Sequence, residues 1–227
     1  MAFQLSKEQL MIQKMAREFA LKELAPLAAE RDQKHEYPAD SLKKMGELGF
    51  LGMLVSEKYG GEDLGTIAYS LALTEIAYAC ASTAVIMSVH NSICCGSIEK
   101  YGTEEQKDYY LPRLAKGEET PCFALTSPVA GSDAGAIPDK GIVCLGNWEG
   151  KEVLGLKVTW NKRYITLAPV ATLIGLAIKV YDPEKLLGDE SDIGVTYVMI
   201  PSYLEGVNSG ARHLPMNTVF MNGPTWG

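Results

Sequence analysis

The sequence predicts an α+β chain in two parts, an all-α part over residues 1–118 followed by a largely antiparallel β part over 119–227. Three observations predict this. Up to about residue 118, apolar residues recur at helical spacing between capping and breaking signals. After Thr120, glycine and proline become more frequent and the apolar runs shorten to strand length. No helical pattern separates those strands, and parallel neighbours usually need a helical crossover, so antiparallel pairing is expected.

The helical elements follow in order. Ser6 and Gln9 have capping-box spacing, and Leu10, Ile12, Met15, Phe19 and Leu24 continue an apolar face. Pro26 predicts a break or kink, and Tyr37-Pro38 marks a boundary before a helix ending near Leu48. Leu51 to Val55 is a short apolar link, and Tyr59-Gly-Gly-Glu-Asp63 is a turn cluster. Ile67 to Ala79 reads as one apolar helix and Ala81 to Ser97 as another, apolar nearly all round and hence buried. Thr103, followed by Glu104, Glu105 and Gln106, is a strong helix start; that helix ends near Leu114.

In the second part, strands are expected at Gly141–Leu145, Lys151–Trp160, Arg163–Thr166, Ala171–Val180 and Gly194–Ile200. Asn147 to Gly150 suits a hairpin turn, and Asp182 to Asp192 a polar loop.

The chain is 47% hydrophobic with a formal net charge of −7, which gives it material for a core and no basic footprint for nucleic acid. Its longest apolar run, Leu167 to Ile178, is too short for a transmembrane helix. The start lacks the basic-then-apolar pattern of a secretory signal. Five cysteines without zinc spacing read as buried free thiols in a reducing compartment, cytoplasmic or, in a eukaryote, the mitochondrial matrix. No metal site, P-loop or G-x-G-x-x-G motif is present. The three histidines fit no catalytic set: His35 lies in a charged stretch, His90 in a buried helix, and His213 in a Gly- and Pro-punctuated tail.

Two stretches carry chemistry. Phe123-Ala-Leu-Thr-Ser-Pro-Val-Ala-Gly-Ser-Asp133 runs from the end of a short strand, stopped by Pro128, into a loop of small residues and hydroxyls. Such a loop holds phosphates or the polar edge of a flat heterocycle; it is equally an ordinary polar turn. In Thr159-Trp-Asn-Lys-Arg-Tyr-Ile-Thr166, Tyr164 and Thr166 lie two residues apart and so on one face of a strand. That pair suits a planar cofactor, or a half-exposed strand.

Three stretches together resemble the acyl-CoA dehydrogenase family: Gly49-Phe-Leu-Gly-Met-Leu-Val-Ser-Glu-Lys-Tyr-Gly-Gly61; Tyr101-Gly-Thr-Glu-Glu-Gln-Lys with Tyr110-Leu-Pro-Arg-Leu-Ala-Lys-Gly117; and Phe123 to Asp133. The first half, with Ala81-Ser-Thr-Ala-Val-Ile-Met-Ser-Val-His-Asn91, is similar to the short-chain, butyryl-CoA type. Gly131 to Asp139 and Trp160 to Thr166 are similar to the bacterial long-chain type. The resemblance implies a helical domain (1–118), a β-barrel-like middle domain (119–227) truncated at its end, and the absence here of the family's C-terminal four-helix bundle. It implies FAD as cofactor, with Phe123, Ala124, Leu125 and Thr126 along the isoalloxazine, Gly131 and Ser132 near its phosphates, and Tyr164, Ile165 and Thr166 beside the ring. Ser132 would also meet the acyl-CoA substrate. Ser127 replaces the family's usual glutamate and Tyr164 its usual tryptophan. No residue inherits the catalytic base, a glutamate of the third domain in the short- and medium-chain enzymes. The implied reaction is α,β-dehydrogenation of a fatty acyl-CoA to the trans-2-enoyl-CoA within fatty acid β-oxidation, in a homo-oligomer that passes electrons to an electron-transfer flavoprotein. A non-catalytic two-domain fragment or binding scaffold, and an acyl-CoA oxidase, are the alternative readings.

Overall fold

The computed structural model describes residues 4–211, 213 and 222–227. The chain separates into two compact units, one over Met1–Pro121 and one over Cys122–His213 with Asn222–Gly227.

The first unit is helical. Helix α1 (Lys7–Phe19) opens on the expected capping box, in which the Ser6 hydroxyl accepts from the Gln9 N–H and the Gln9 side chain accepts from the Ser6 N–H. Of the break or kink expected at Pro26, no break occurs. Instead the helix passes through a π-helical segment (Ala20–Leu24) into α2 (Ala25–Lys34), with Pro26 as its second residue. A proline offers no N–H and crowds the carbonyl four residues back, and a wider turn just before it accommodates both defects. His35, in the left-handed conformation, ends α2. Helix α3 (Ala39–Glu47) and α4 (Gly65–Ala79) follow the expected order. The single helix expected over Ala81–Ser97 is instead α5 (Ala81–Ser88), a π-helical segment (Val89–Cys95) and α6 (Gly96–Tyr101). Helix α7 (Glu104–Ala115) begins on the Thr103 capping box.

Phe19 and Phe50 meet at 5.6 Å between ring centroids. Met45, Met53, Ile76, Met87 and Leu111 are buried with them in the unit's core. Helix α1 is tied to α4 by Glu75, a buried carboxylate that accepts two hydrogen bonds from Arg17, at 2.7 and 2.8 Å, and one from Gln13. The Arg17 guanidinium holds the Glu75 carboxyl below its ordinary range. Gly46 lets α3 approach the end of α7: a Cβ there would sit 2.2 Å from the Lys116 carbonyl oxygen. No helix among the described residues is long and apolar enough to cross a membrane.

The second unit is built from β1 (Pro121–Ala124), β2 (Lys140–Trp148), β3 (Lys151–Thr159), β4 (Asn161–Thr166), β5 (Leu173–Tyr181), β6 (Asp192–Pro201), β7 (Asn208–Ser209) and β8 (Asn222–Trp226). They form two open sheets, one ordered β1-β5-β2-β3 with β6 also on β5, the other β4-β8-β7. Strands β2 and β3 make the expected hairpin, closed by Glu149 and Gly150, both at positive φ, which gives a turn whose twist suits the strands. The barrel-like expectation needs correction, and the largely antiparallel one holds with an exception. The described strands leave both sheets open, and β2 pairs β5 in parallel at Lys140–Ile142 against Lys179–Tyr181. Two intervening strands and one short 3-10 turn (Ala168–Val170), with no α-helix among them, bring β5 back beside β2, so the lack of helical crossovers did not exclude a parallel pair. Strand β5 is buried along nearly its whole length, which matches its continuous apolar sequence.

Candidate functional site

The two stretches singled out in the sequence meet within the second unit. Beyond β1 the chain turns back sharply: the Ser127 N–H donates to the Ala130 carbonyl at 3.0 Å, and the Ala130 N–H to the Ser127 carbonyl at 3.4 Å. Pro128 and Val129 form the tip, so proline acts here inside a tight turn, after a strand that has already ended at Ala124. The Arg163 N–H donates to the Thr126 carbonyl at 2.9 Å, which fastens β4 to this turn.

Each residue before the turn has its own support. The Phe123 ring stacks on Tyr197, with centroids 5.7 Å apart and planes at 19°. Gly175 makes room for that tyrosine, since a Cβ there would lie 2.0 Å from the Tyr197 hydroxyl. Ala124 is fully buried, and Leu125 packs on Ala130, Ile137 and Ala177. The Leu125 carbonyl accepts from Lys162 Nζ at 2.8 Å.

Lys162 is wholly buried. Its second partner is Asp139 Oδ2 at 2.6 Å, and Asp139 Oδ1 accepts the Asn161 N–H at 2.7 Å. Burial pulls the Lys162 ammonium below its ordinary pKa, and the Asp139 carboxylate pulls it back.

On β4, Tyr164 departs from the expected alternation. Three steps of β4, Lys162 to Ile165, span two steps of β8, Thr225 to Gly223, which is a bulge. Tyr164 sits in that bulge at φ 58° with its side chain half exposed. A left-handed aromatic residue is uncommon and marks strain retained by its surroundings. Because of the bulge, Tyr164 and Thr166 do not present their side chains by simple two-residue alternation. Ile165 is buried beneath them. The Tyr164 ring lies 4.9 Å from that of His213, whose Nδ1 is buried without a protein partner among the described residues.

Gly131 and Ser132 follow the turn and are exposed. A Cβ on Gly131 would meet nothing within 4 Å. Among the described residues, the hydroxyls of Thr126 and Thr166 have no protein partner. The Ser127 hydroxyl is buried and likewise unpartnered. An apolar cavity of about 300 Å³ elsewhere in this unit, between Leu156, Trp160, Val198 and Ile200, contains none of these residues. No group of three metal-ligating side chains occurs among the described residues.

Residues 6–118 match the family model for the acyl-CoA dehydrogenase N-terminal domain. The chain belongs to the acyl-CoA dehydrogenase family. Among curated relatives, acryloyl-CoA reductase (NADH) of Anaerotignum propionicum is 47% identical over 143 residues, 63% of this chain and 36% of that protein. Among solved structures, butyryl-CoA dehydrogenase of Megasphaera elsdenii is 28% identical with a TM-score of 0.83, covering 100% of this chain and 57% of that one. An acyl-CoA dehydrogenase of Bacillus anthracis complexed with FAD is 28% identical with a TM-score of 0.84, covering 98% of this chain and 36% of that one. The chain therefore spans between about a third and just over half of these relatives. The acyl-CoA dehydrogenase fold accounts for its helical unit followed by a β unit.

For a member of this family, the sequence pointed to a loop and a strand, and the fold joins them by one main-chain hydrogen bond. In the sequence, Lys162, Asp139 and Tyr197 suggest no role, and His213 reads as part of a tail. Lys162 and Asp139 are 23 residues apart in unlike contexts, and only the fold pairs them. Lys162 falls between two predicted strands, flanked by Asn161 and Arg163, a position more often solvated than buried.

Proposed function

We propose that this chain carries the flavin-binding middle part of an FAD-dependent acyl-CoA dehydrogenase acting on a fatty acyl-CoA with a short acyl chain. The observation that carries this reading is the junction itself. Thr126 and Thr166 offer hydroxyls that no protein group among the described residues takes, on two segments tied by the Arg163 N–H to the Thr126 carbonyl. The donor set fits a flavin: hydroxyls and a main-chain N–H for its pyrimidine edge, with Tyr164 as an aromatic wall. Gly131 fits the phosphate end, because neither packing nor a positive φ requires glycine there, whereas close approach of a ligand does.

FAD, when bound, supplies a hydride acceptor for the β-hydrogen of the thioester. The chain's own contribution is to bind and orient. Phe123, Ala124, Leu125 and Thr126 form a wall held rigid from behind, and Tyr164, Ile165 and Thr166 form a second. Gly131 and Ser132 provide an exposed, small-residue approach for phosphate and for acyl-CoA. None of these groups is a base; removal of the α-proton belongs to the glutamate that the family carries in its third domain. The complete enzyme is a homo-oligomer delivering electrons to an electron-transfer flavoprotein, in the cytoplasm or a mitochondrial matrix. The five cysteines, none of them in a disulfide, support a reducing compartment.

A visible spectrum tests the reading. A yellow chain that bleaches on anaerobic addition of butyryl-CoA supports the dehydrogenase. A chain that takes up added FAD without bleaching supports the alternative of a non-catalytic flavin-binding scaffold. A colourless chain that takes up no FAD overturns the flavin assignment. Rapid reoxidation of the reduced flavin by oxygen points to the oxidase alternative.

A further inference from the structure

The Leu125–Thr126 peptide has one tied end and one open end. Its carbonyl accepts from Lys162 Nζ at 2.8 Å. The next peptide is tied at both ends, by the Arg163 N–H on the Thr126 carbonyl and by the Ser127 N–H on the Ala130 carbonyl. A peptide is planar and trans, so its carbonyl and N–H point in opposite directions. Pinning the Leu125 carbonyl onto Lys162 therefore aims the Thr126 N–H away from Lys162. Among the described residues, that N–H has no protein partner.

We propose that Lys162 is a positioning residue for the flavin: its buried ammonium orients and polarises the Leu125–Thr126 peptide, making the Thr126 N–H a fixed, strengthened donor to an electron-rich edge of the ring. The inference rests on the flavin reading above. A cation on a carbonyl draws charge along the peptide and strengthens the N–H at its far end. Lys162 has no exposed surface, so it cannot leave the carbonyl for solvent. Asp139 neutralises it and is itself fixed by the Asn161 N–H. Stability alone is a poor reason for such a pair. Two ions withdrawn from water rarely do better than well-packed neutral residues, whereas removal of one partner leaves an uncompensated charge.

The test uses the 227-residue chain with added FAD and two variants, Lys162→Met and the double variant Lys162→Met with Asp139→Asn. Thermal unfolding, FAD dissociation constant and visible flavin spectrum are measured for each. Lys162→Met lowers Tm by stranding Asp139. The double variant regains most of that loss, because an asparagine still accepts the Asn161 N–H and carries no charge. FAD binding stays weakened by roughly tenfold or more in both, the scale of a lost charge-assisted hydrogen bond, and the spectrum stays shifted. If affinity and spectrum recover together with Tm in the double variant, the pair is only structural and the inference falls while the flavin reading stands. If the unsubstituted chain binds no FAD, the flavin reading itself falls and takes this role with it.

Discussion

The backbone N–H of Arg163 and the carbonyl of Thr126 lie 2.9 Å apart, and this bond joins the two segments that define the candidate site. The hydroxyl of Thr126 has no protein partner among the described residues. Thr126→Ala is therefore expected to reduce FAD retention without a large change in Tm. Thr103→Ala, which removes the α7 N-cap, is expected to cost about 1 kcal/mol of stability and leave FAD retention unchanged. Gel filtration with added FAD, beside thermal melts, separates the two; equal retention counts against the assignment.

Tyr164 has the opposite balance. Its left-handed backbone costs about 1–2 kcal/mol for any residue with a Cβ. Tyr164→Gly relieves that strain and is expected to leave Tm unchanged or higher while weakening FAD binding. Ile165→Ala, one residue on and buried, is expected to lose about 2–5 kcal/mol. A Tyr164→Gly variant that melts well below the parent would show that the bulge is not strained.

These contrasts mark where the sequence could be read. Capping boxes at Ser6 and Thr103 are local, so they were legible to the residue. Strands β1 to β6 and the loop–strand pair were also legible, since composition and motif carry them, whereas β7 and β8 were not foreseen. The bulge at Tyr164 was not, because a bulge is set by the partner strand's register and β8 lies about 60 residues on. The parallel contact of β2 with β5 was hidden for the same reason. The Lys162–Asp139 pair, the most buried polar contact behind the site, leaves no mark in either local sequence.

His90 gives a pH signature. It is buried, with Nε2 2.8 Å from the Leu114 carbonyl, and desolvation pushes its pKa down to about 4, against 6.5 for an ordinary histidine. The unfolded chain therefore takes up a proton between those values while the folded chain does not. The contribution of a neutral His90 is complete above pH 6.5 and is lost as pH falls towards 4, by roughly 3 kcal/mol in all. Melts across this range are expected to fall more steeply for the parent than for His90→Gln. Parallel curves would refute a neutral buried His90.

Thiol reactivity should divide the five cysteines. Cys94, Cys95 and Cys122 are buried, and burial pushes the Cys122 thiol up to about 12 and Cys95 higher than its ordinary value. Cys80 and Cys144 are partly exposed. Titration of the folded chain with a disulfide reagent at pH 8 is expected to show two faster groups, with the other three reacting only on unfolding.

Gly46→Ala is expected to destabilise the first unit by about 1–3 kcal/mol, because the new methyl meets the Lys116 carbonyl, a backbone atom that cannot swing aside. Gly131→Ala, facing open space at the candidate site, is expected to leave Tm unchanged and to weaken FAD uptake. Matching melts for the two variants would remove the packing argument for Gly46.

The π-helical turn at Ala20–Leu24 has a bearing on how this chain tolerates insertions and deletions. Such a turn is a helix carrying one surplus residue, and each residue of an α-helix advances the chain by about 100°. Excising one residue there would restore regular winding and leave the side chains of α2 on their present faces, because the wide turn absorbs its surplus residue without rotating the helix beyond it. An alignment gap placed in this segment is thus compatible with an unchanged inward face of α2, and a relative lacking the surplus residue is expected to keep the same apolar phase from Pro26 onward.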